Sequence, residues 1–205
     1  AISAIRLADA ALIACSSLVN ACGPGAGRLA AMAGAELPVE PRKRTGFRFR
    51  CPNPPEKMPL TVDITGAWVR PEGAGFIAGM SPPQEEDGPA DPDDFEPDHT
   101  LFEEAIWPAL AARIPAFETL RLEGAWAGHY DYNRFDQNAL IGADDRIAGL
   151  WHLTGFSGHG VQQAPAAARA LAELVVTGKF RSIDCTGFSP ARVARGEAFA
   201  ERNVI

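Results

Sequence analysis

The sequence predicts an α+β fold, on three observations. Phe47, Phe49 and Cys51 alternate with Arg48 and Arg50, and Leu60, Val62 and Ile64 repeat the pattern, the period-2 signature of half-buried antiparallel strands. Phe102, Ile106, Leu110 and Ile114 recur at i+4, the spacing of one helix face. Residues 162–177 form an alanine-rich run that Gly178 stops. With 205 residues, 46% hydrophobic and 22% charged, the chain has ample material for a core and is not disordered.

Taken in order, residues 1–7 and 12–22 read as two strands about a polar turn, ending at the cluster Gly23-Pro24-Gly25-Ala26-Gly27. Residues 28–33 read as a short helix closed by Gly34. The alternating runs then build a meander: Thr65-Gly66 turns the chain into residues 67–70, and residues 71–75 turn it again into 76–80. Thr100 with Glu103 forms a capping-box pattern before the next helix, in which Pro108 is expected to produce a kink. Residues 120–126 and 150–154 are further strands. In the last helix Ala164, Ala168, Leu171 and Val175 are expected on the buried face, with Pro165 in the first turn.

The net charge of −7 argues against a nucleic-acid partner. Eight acids and no base lie between Gln84 and Asp98; without them nineteen bases face eighteen acids. That segment is expected to be a solvated loop, with docking to a basic partner as the other reading. No apolar run approaches the roughly 20 residues of a membrane span. Asp9 interrupts residues 7–22, which argues against a signal peptide. Cys15, Cys22, Cys51 and Cys185 show no metal-ligand spacing, so no metal site is expected and the thiols suit a reducing, cytoplasmic compartment.

Two partial motifs fail. Gly23-x-Gly25 begins a dinucleotide fingerprint, but Arg28 stands at its third glycine. Gly155-x-Ser157 begins a nucleophile elbow that His159 breaks. The informative unit is a strand, then Gly155-Phe156-Ser157-Gly158-His159-Gly160, then a helix. Small residues there let backbone N–H groups approach a ligand, and the helix start favours negative charge. Taken alone, the unit is equally a tight structural turn or a ligand-binding loop.

That loop, followed by Gln163-Ala164-Pro165 and a small-residue helix, closely resembles the flavin-binding loop of the D-amino-acid oxidase and sarcosine oxidase-like FAD-dependent oxidoreductases. Leu18-Val19-Asn20-Ala21-Cys22-Gly23-Pro24 resembles the family's VNAAGPW segment, and Trp126-Ala127-Gly128-His129-Tyr130 with Ile141-Gly142 resembles its approach to the flavin ring. The resemblance spans the chain but lacks the family's opening dinucleotide-binding unit, so a missing N-terminal half is expected, as another chain or as sequence lost from a fragment. It implies an antiparallel substrate-domain sheet with flanking helices plus the C-terminal part of a FAD-binding domain. The corresponding domains are 1–34, a remnant of the FAD-binding domain; 35–127, the substrate domain; and 128–205, the return to the FAD-binding domain.

The resemblance further implies oxidation of a C–N bond in a small-molecule amine or amino acid, with hydride transfer to FAD. Ala21, Cys22, Gly23, Gly155, Phe156, Ser157, Gly158, His159, Gly160, Val161 and Gln162 are the expected FAD contacts. His129 and Tyr130 are the candidate catalytic residues, and Arg70, Tyr130 and Gln162 the candidate substrate contacts. Departures from the pattern refine this. Ile77 stands where the oxidases carry an oxygen-activating lysine, which implies a dehydrogenase with an electron acceptor of unknown identity. Gln162 replaces a carboxylate-binding lysine, and Gly128 stands near the flavin-linking cysteine, implying non-covalent FAD. The alternatives are a non-catalytic flavin-binding scaffold or assembly factor, with the acidic segment as docking element, and an inactive fragment. Trp68, Trp107, Trp151, His99 and His152 are expected to be structural.

Overall fold

A computed structural model describes residues 1–83 and 85–201. In chain order the elements are β1 (Ala4–Arg6), β2 (Leu12–Ala14), β3 (Leu18–Asn20), α1 (Ala26–Met32), β4 (Val39–Arg50), β5 (Thr61–Val62), β6 (Trp68–Glu72) and β7 (Gly75–Gly79). There follow α2 (His99–Leu101), a π-helical turn (Phe102–Ile106), α3 (Trp107–Arg113), β8 (Arg121–Asn133), β9 (Leu140–Ala143), β10 (Leu150–Thr154), α4 (Gly160–Thr177) and α5 (Ala191–Arg195). The chain forms two compact units, one of residues 1–41 with the chain from Tyr130 onward, the other of residues 42–129. The expected α+β class with antiparallel sheets and flanking helices is what the structure shows.

The second unit contains the meander. Its sheet has the order β5-β6-β7-β4-β8, with β6 and β4 both antiparallel to β7. Phe47, Phe49, Val69, Phe76 and Ala78 point to one face, where Phe102, Ile106, Leu110 and Phe117 cover them. Phe49 stacks on Phe76 at 5.5 Å and meets Phe117 edge-on at 5.1 Å, contacts that fix ring orientation as well as burial. The expected i+4 helix face is therefore the lid of this core, and Trp107 seals it by donating from Nε1 to the Phe117 carbonyl at 3.0 Å.

Local details correct the sequence reading. Helix α2 is capped by Asp98, whose carboxylate accepts from the Leu101 N–H at 3.2 Å, so the Thr100–Glu103 capping box is not used. Pro108 lacks the N–H that would bond back four residues. The π turn before it, where the Trp107 N–H reaches the Phe102 carbonyl, absorbs that gap. Leu60, Val62 and Ile64 lie exposed: β5 is a two-residue strand at the sheet margin with nothing packed over these side chains.

The acidic segment is not a freely solvated loop. Asp87 takes both terminal nitrogens of Arg44 at 2.7 Å and Asp94 takes Lys43 at 2.6 Å. The basic partner of this segment is β4 of the same chain.

In the first unit β10 pairs parallel with β3 and antiparallel with β9. The expected strand 12–22 is instead two strands: β2 pairs with β1 in a hairpin, and β3 with β10. Helix α4 buries Ala167, Ala170 and Leu171 under β9 and β10. The buried stripe is thus rotated from the expected one, for Ala164, Ala168 and Val175 are exposed. Pro165 lies one turn deeper than expected because the helix begins at Gly160.

At the other end of α4, Glu173 accepts from the Arg181 and Ser182 N–H groups, both at 2.9 Å, and from the Ser182 hydroxyl at 2.7 Å. These bonds hold its carboxyl down to about 2, from an ordinary 4.5. A carboxyl lowered by folding stabilises the fold above its unfolded value and loses that contribution as pH falls toward the folded one. Glu173→Gln is expected to flatten the acid limb of thermal stability between about pH 5 and pH 2, while leaving stability at pH 7 lowered, as read by melting curves across that range.

Candidate functional site

The strand–loop–helix unit is built by β10, residues 155–159 and α4. Gly155, Ser157 and Gly158 all have positive φ, at 77°, 49° and 101°. For Ser157 this is a sparsely populated conformation, so the surroundings must hold it. They do: its N–H donates to the Asp131 carbonyl at 3.2 Å, and its hydroxyl donates to the Gly155 carbonyl at 3.3 Å and accepts from the Asn133 N–H at 3.0 Å.

Asp131 organises the front of the loop. One carboxylate oxygen accepts from the Gly155 N–H at 2.7 Å, the Phe156 N–H at 3.2 Å and the Thr154 hydroxyl at 3.3 Å. Burial pushes the Asp131 carboxyl above its ordinary value, more than these hydrogen bonds lower it. The amides of Gly155 and Phe156, expected to face a ligand, therefore serve an internal acceptor. Those that remain for an anionic group lie further on, from Gly158 to Gln162, at the start of an 18-residue helix with no acidic side chain in its first turn.

Beneath the loop lies a buried polar network. Arg192 donates from Nε and Nη2 to the two carboxylate oxygens of Asp136 at 2.7 and 2.9 Å, both side chains being essentially inaccessible. Asn133 donates to Asp136 at 2.8 Å and to the Asn138 carbonyl at 2.6 Å. Asn133 thus joins the Arg192–Asp136 pair to Ser157, and every buried charge in the chain of contacts has a partner.

The second segment, Ala21-Cys22-Gly23, follows β3. Asn20, fully buried, accepts from the Cys22 N–H at 3.4 Å and donates to the Ala26 carbonyl at 2.9 Å. Its amide nitrogen lies 3.5 Å from Nδ1 of His152, whose Nε2 lies 3.0 Å from Asp144. His152 thus has the structural setting expected of it. Ala21 and Cys22 are exposed, and the Thr154 hydroxyl lies 3.4 Å from the Gly23 carbonyl, placing Gly23 beside the base of the 155–160 loop.

Tyr130 belongs with this loop: its ring fills the space that a Cβ on Gly158 would need, 2.6 Å from Cε2. Glycine is required at 158 by that contact as well as by its φ. Gln162 and Val161 are exposed, and His159 is half-buried. His129 and Arg70 belong to the other unit. The His129 ring packs on Phe95 at 4.7 Å, and its buried Nε2 has no hydrogen-bond partner among the described residues. Arg70 is exposed and ion-paired with Glu72.

Sequence reasoning missed Asp131, Asn133, Asp136 and Arg192. The available signal was Asp131 and Asn133 two apart at the end of a strand, hence on one face of it. All four cysteines are free, no group of metal-ligating side chains occurs among the described residues, and no described helix is long and apolar enough to cross a membrane.

The fold is that of amino-acid dehydrogenases and oxidases of known structure. L-proline dehydrogenase from P. horikoshii superposes with a TM-score of 0.81 at 28% identity, covering 96% of this chain and 51% of that one. Glycine oxidase from Geobacillus kaustophilus shares the fold at a TM-score of 0.78 and 22% identity, covering 92% and 48%. Residues 3–174 match the FAD dependent oxidoreductase family, and the chain belongs to that family. FAD-dependent oxidoreductase domain-containing protein 1 of Bos taurus is 42% identical over 94% of this chain, and that of Xenopus laevis is likewise 42% identical. The chain spans about 42% of the length of the bovine relative.

Asp131→Ala strands the Gly155 and Phe156 N–H groups and is expected to cost about 1–3 kcal/mol in chemical denaturation. Asp131→Asn keeps an acceptor oxygen while removing a buried charge, and is expected to stay within about 1 kcal/mol of the parent. Equal losses in the two variants would show that the acceptor is not what the loop needs.

Proposed function

We propose that this chain supplies the ring-side part of a FAD site in an enzyme that oxidises a C–N bond of a small amine or amino acid. The single observation that carries the reading is the 155–160 loop of a FAD-dependent oxidoreductase family member: its first amides are tied to Asp131, and α4 begins directly behind it without an acidic neighbour. Bound FAD would accept the hydride equivalent, which leaves negative charge on its ring. Ala21, Cys22, Gly23 and the stretch Gly155 to Gln162 are its proposed contacts. In this reading the amides from Gly158 to Gln162 and the start of α4 stabilise that charge, a preorganised electrostatic contribution. FAD is held non-covalently, with Gly128 offering no side chain for a bond, and its dinucleotide end is held by residues outside these 205.

The proposed domains are 1–34 and 128–205 for the cofactor and 35–127 for the substrate. His129 and Tyr130 are the proposed catalytic residues. Tyr130, Gln162 and Arg70 would position substrate, with Tyr130 supported by its packing on Gly158. Ile77 supports a dehydrogenase over an oxidase, because an apolar side chain provides no cation to stabilise superoxide as it forms. The four unpaired cysteines suit a reducing, cytoplasmic setting. The scaffold reading loses its sequence argument, since Asp87 and Asp94 of the acidic segment are already engaged by Arg44 and Lys43.

Anaerobic addition of a panel of N-methyl and α-amino acids to the FAD-loaded protein is expected to bleach the flavin absorbance with at least one member. The reduced flavin should reoxidise faster with an artificial quinone than with oxygen. Bleaching by no member would overturn the enzymatic reading.

A further inference from the structure

We propose that the open face of the five-stranded sheet in the 42–129 unit is an anion site, and that Arg48 and Arg70 together select a substrate carrying a carboxylate arm. The inference deepens the proposed function and rests on its reading of this sheet as the substrate-facing one.

The strand register places the pair. Arg48 of β4 is directly opposite Ile77 of β7, and Ile77 is directly opposite Arg70 of β6. Residues opposite one another across a sheet share a face, so Arg48, Ile77 and Arg70 form one row, on the side away from the aromatic core. With neighbouring strands about 4.8 Å apart, the two arginine Cα atoms stand about 10 Å apart with an isoleucine between them. Both side chains are long enough to lean over it.

Arg48, Arg70 and Ile77 line a hollow of about 430 Å³ whose remaining wall includes Trp126 and Glu72. The Trp126 ring lies against Gly46, where a Cβ would fall 2.4 Å from the indole, so the glycine exists to seat it. Yet Trp126 is 48% exposed, a large aromatic surface facing the hollow rather than the core. Two guanidiniums and an indole around a small concavity suit a carboxylate on a short carbon chain: arginine's planar fork matches a carboxylate in bidentate geometry, and the indole covers the carbon atoms.

The arginines already have partners. Arg70 pairs with Glu72, and Arg48 lies 3.5 Å from Glu123, which is closer to Arg50 at 2.7 Å. All of these side chains are a third or more exposed. Exposed pairs of this kind are weak and readily exchange for a ligand. Three arginines against two glutamates also leave the face with a positive excess in a chain whose net charge is −7. The position of Gln162 in the other unit, an uncharged side chain, is consistent with a carboxylate being taken up by the sheet.

The test is titration of succinate into the 205-residue chain at fixed ionic strength, followed by calorimetry and indole fluorescence. Saturable one-site binding is expected, weakened at least tenfold by Arg48→Gln or Arg70→Gln and lost in the double variant; Glu72→Gln should tighten it by removing the internal competitor. These residues are exposed, and unchanged circular dichroism spectra will show the variants folded. No saturable binding, equal binding by the double variant, or an equal response to succinamide or inorganic phosphate would overturn the assignment. Succinate binding without flavin bleaching would sink the oxidation reading and leave this site standing; bleaching without succinate binding would do the reverse.

Discussion

The first unit depends on one carboxylate. Asp131 stands near the end of β8 and gathers the Thr154 hydroxyl and the Gly155 and Phe156 amides onto a single oxygen. Buried in this way, it is costly as a charge unless every neighbour donates to it, and the loop provides those donors. The consequence is geometric: the chain leaves β10, wraps the carboxylate, passes through the strained Ser157 and enters α4 in a fixed orientation. Asn133, two residues further along the strand, fastens Ser157 from the same side and links it to the buried Asp136–Arg192 pair. A loop rich in glycine, which would otherwise sample many conformations, is thereby held in one.

The second unit is organised by a different balance. Its sheet has one face closed by phenylalanines and by the helical segment from α2 to α3, and another that carries arginines and a half-exposed tryptophan. The acidic segment is matched to the basic start of β4, where Arg42, Lys43 and Arg44 lie in sequence. The charge imbalance seen along the sequence is thus largely a local pairing, acids on one segment answering bases on another.

Much of this was legible in the residues. The alternation at Phe47 and Phe49 and the i+4 row Phe102, Ile106 and Leu110 marked the aromatic core correctly, because both periods reflect burial on one side. The same logic misread Leu60, Val62 and Ile64: periodicity reports a pattern and cannot report whether anything packs on it. The alanine-rich stripe of α4 was misassigned because alanines fill both faces, leaving little contrast to fix its rotation. The 155–160 loop was visible as a strand–glycine–helix pattern, but its direction was not. Which amides face inward depends on Asp131, more than twenty residues earlier in the chain, and no local spacing encodes that contact. Asp136 and Arg192, 56 residues apart, were hidden for the same reason.

The central claim is that the amides downstream of the Asp131-bound pair form the flavin-facing surface. The most direct measurement is a nitrogen-15 correlation spectrum of glycine-labelled protein titrated with FAD to millimolar concentration, where ring-side contacts register even if weak. The account predicts that Gly158 and Gly160 shift together and saturably, that Gly155 moves little, and that Gly66, Gly73 and Gly178 stay in place. Loop glycines unmoved by FAD, or shifts concentrated at glycines elsewhere in the chain, would contradict it.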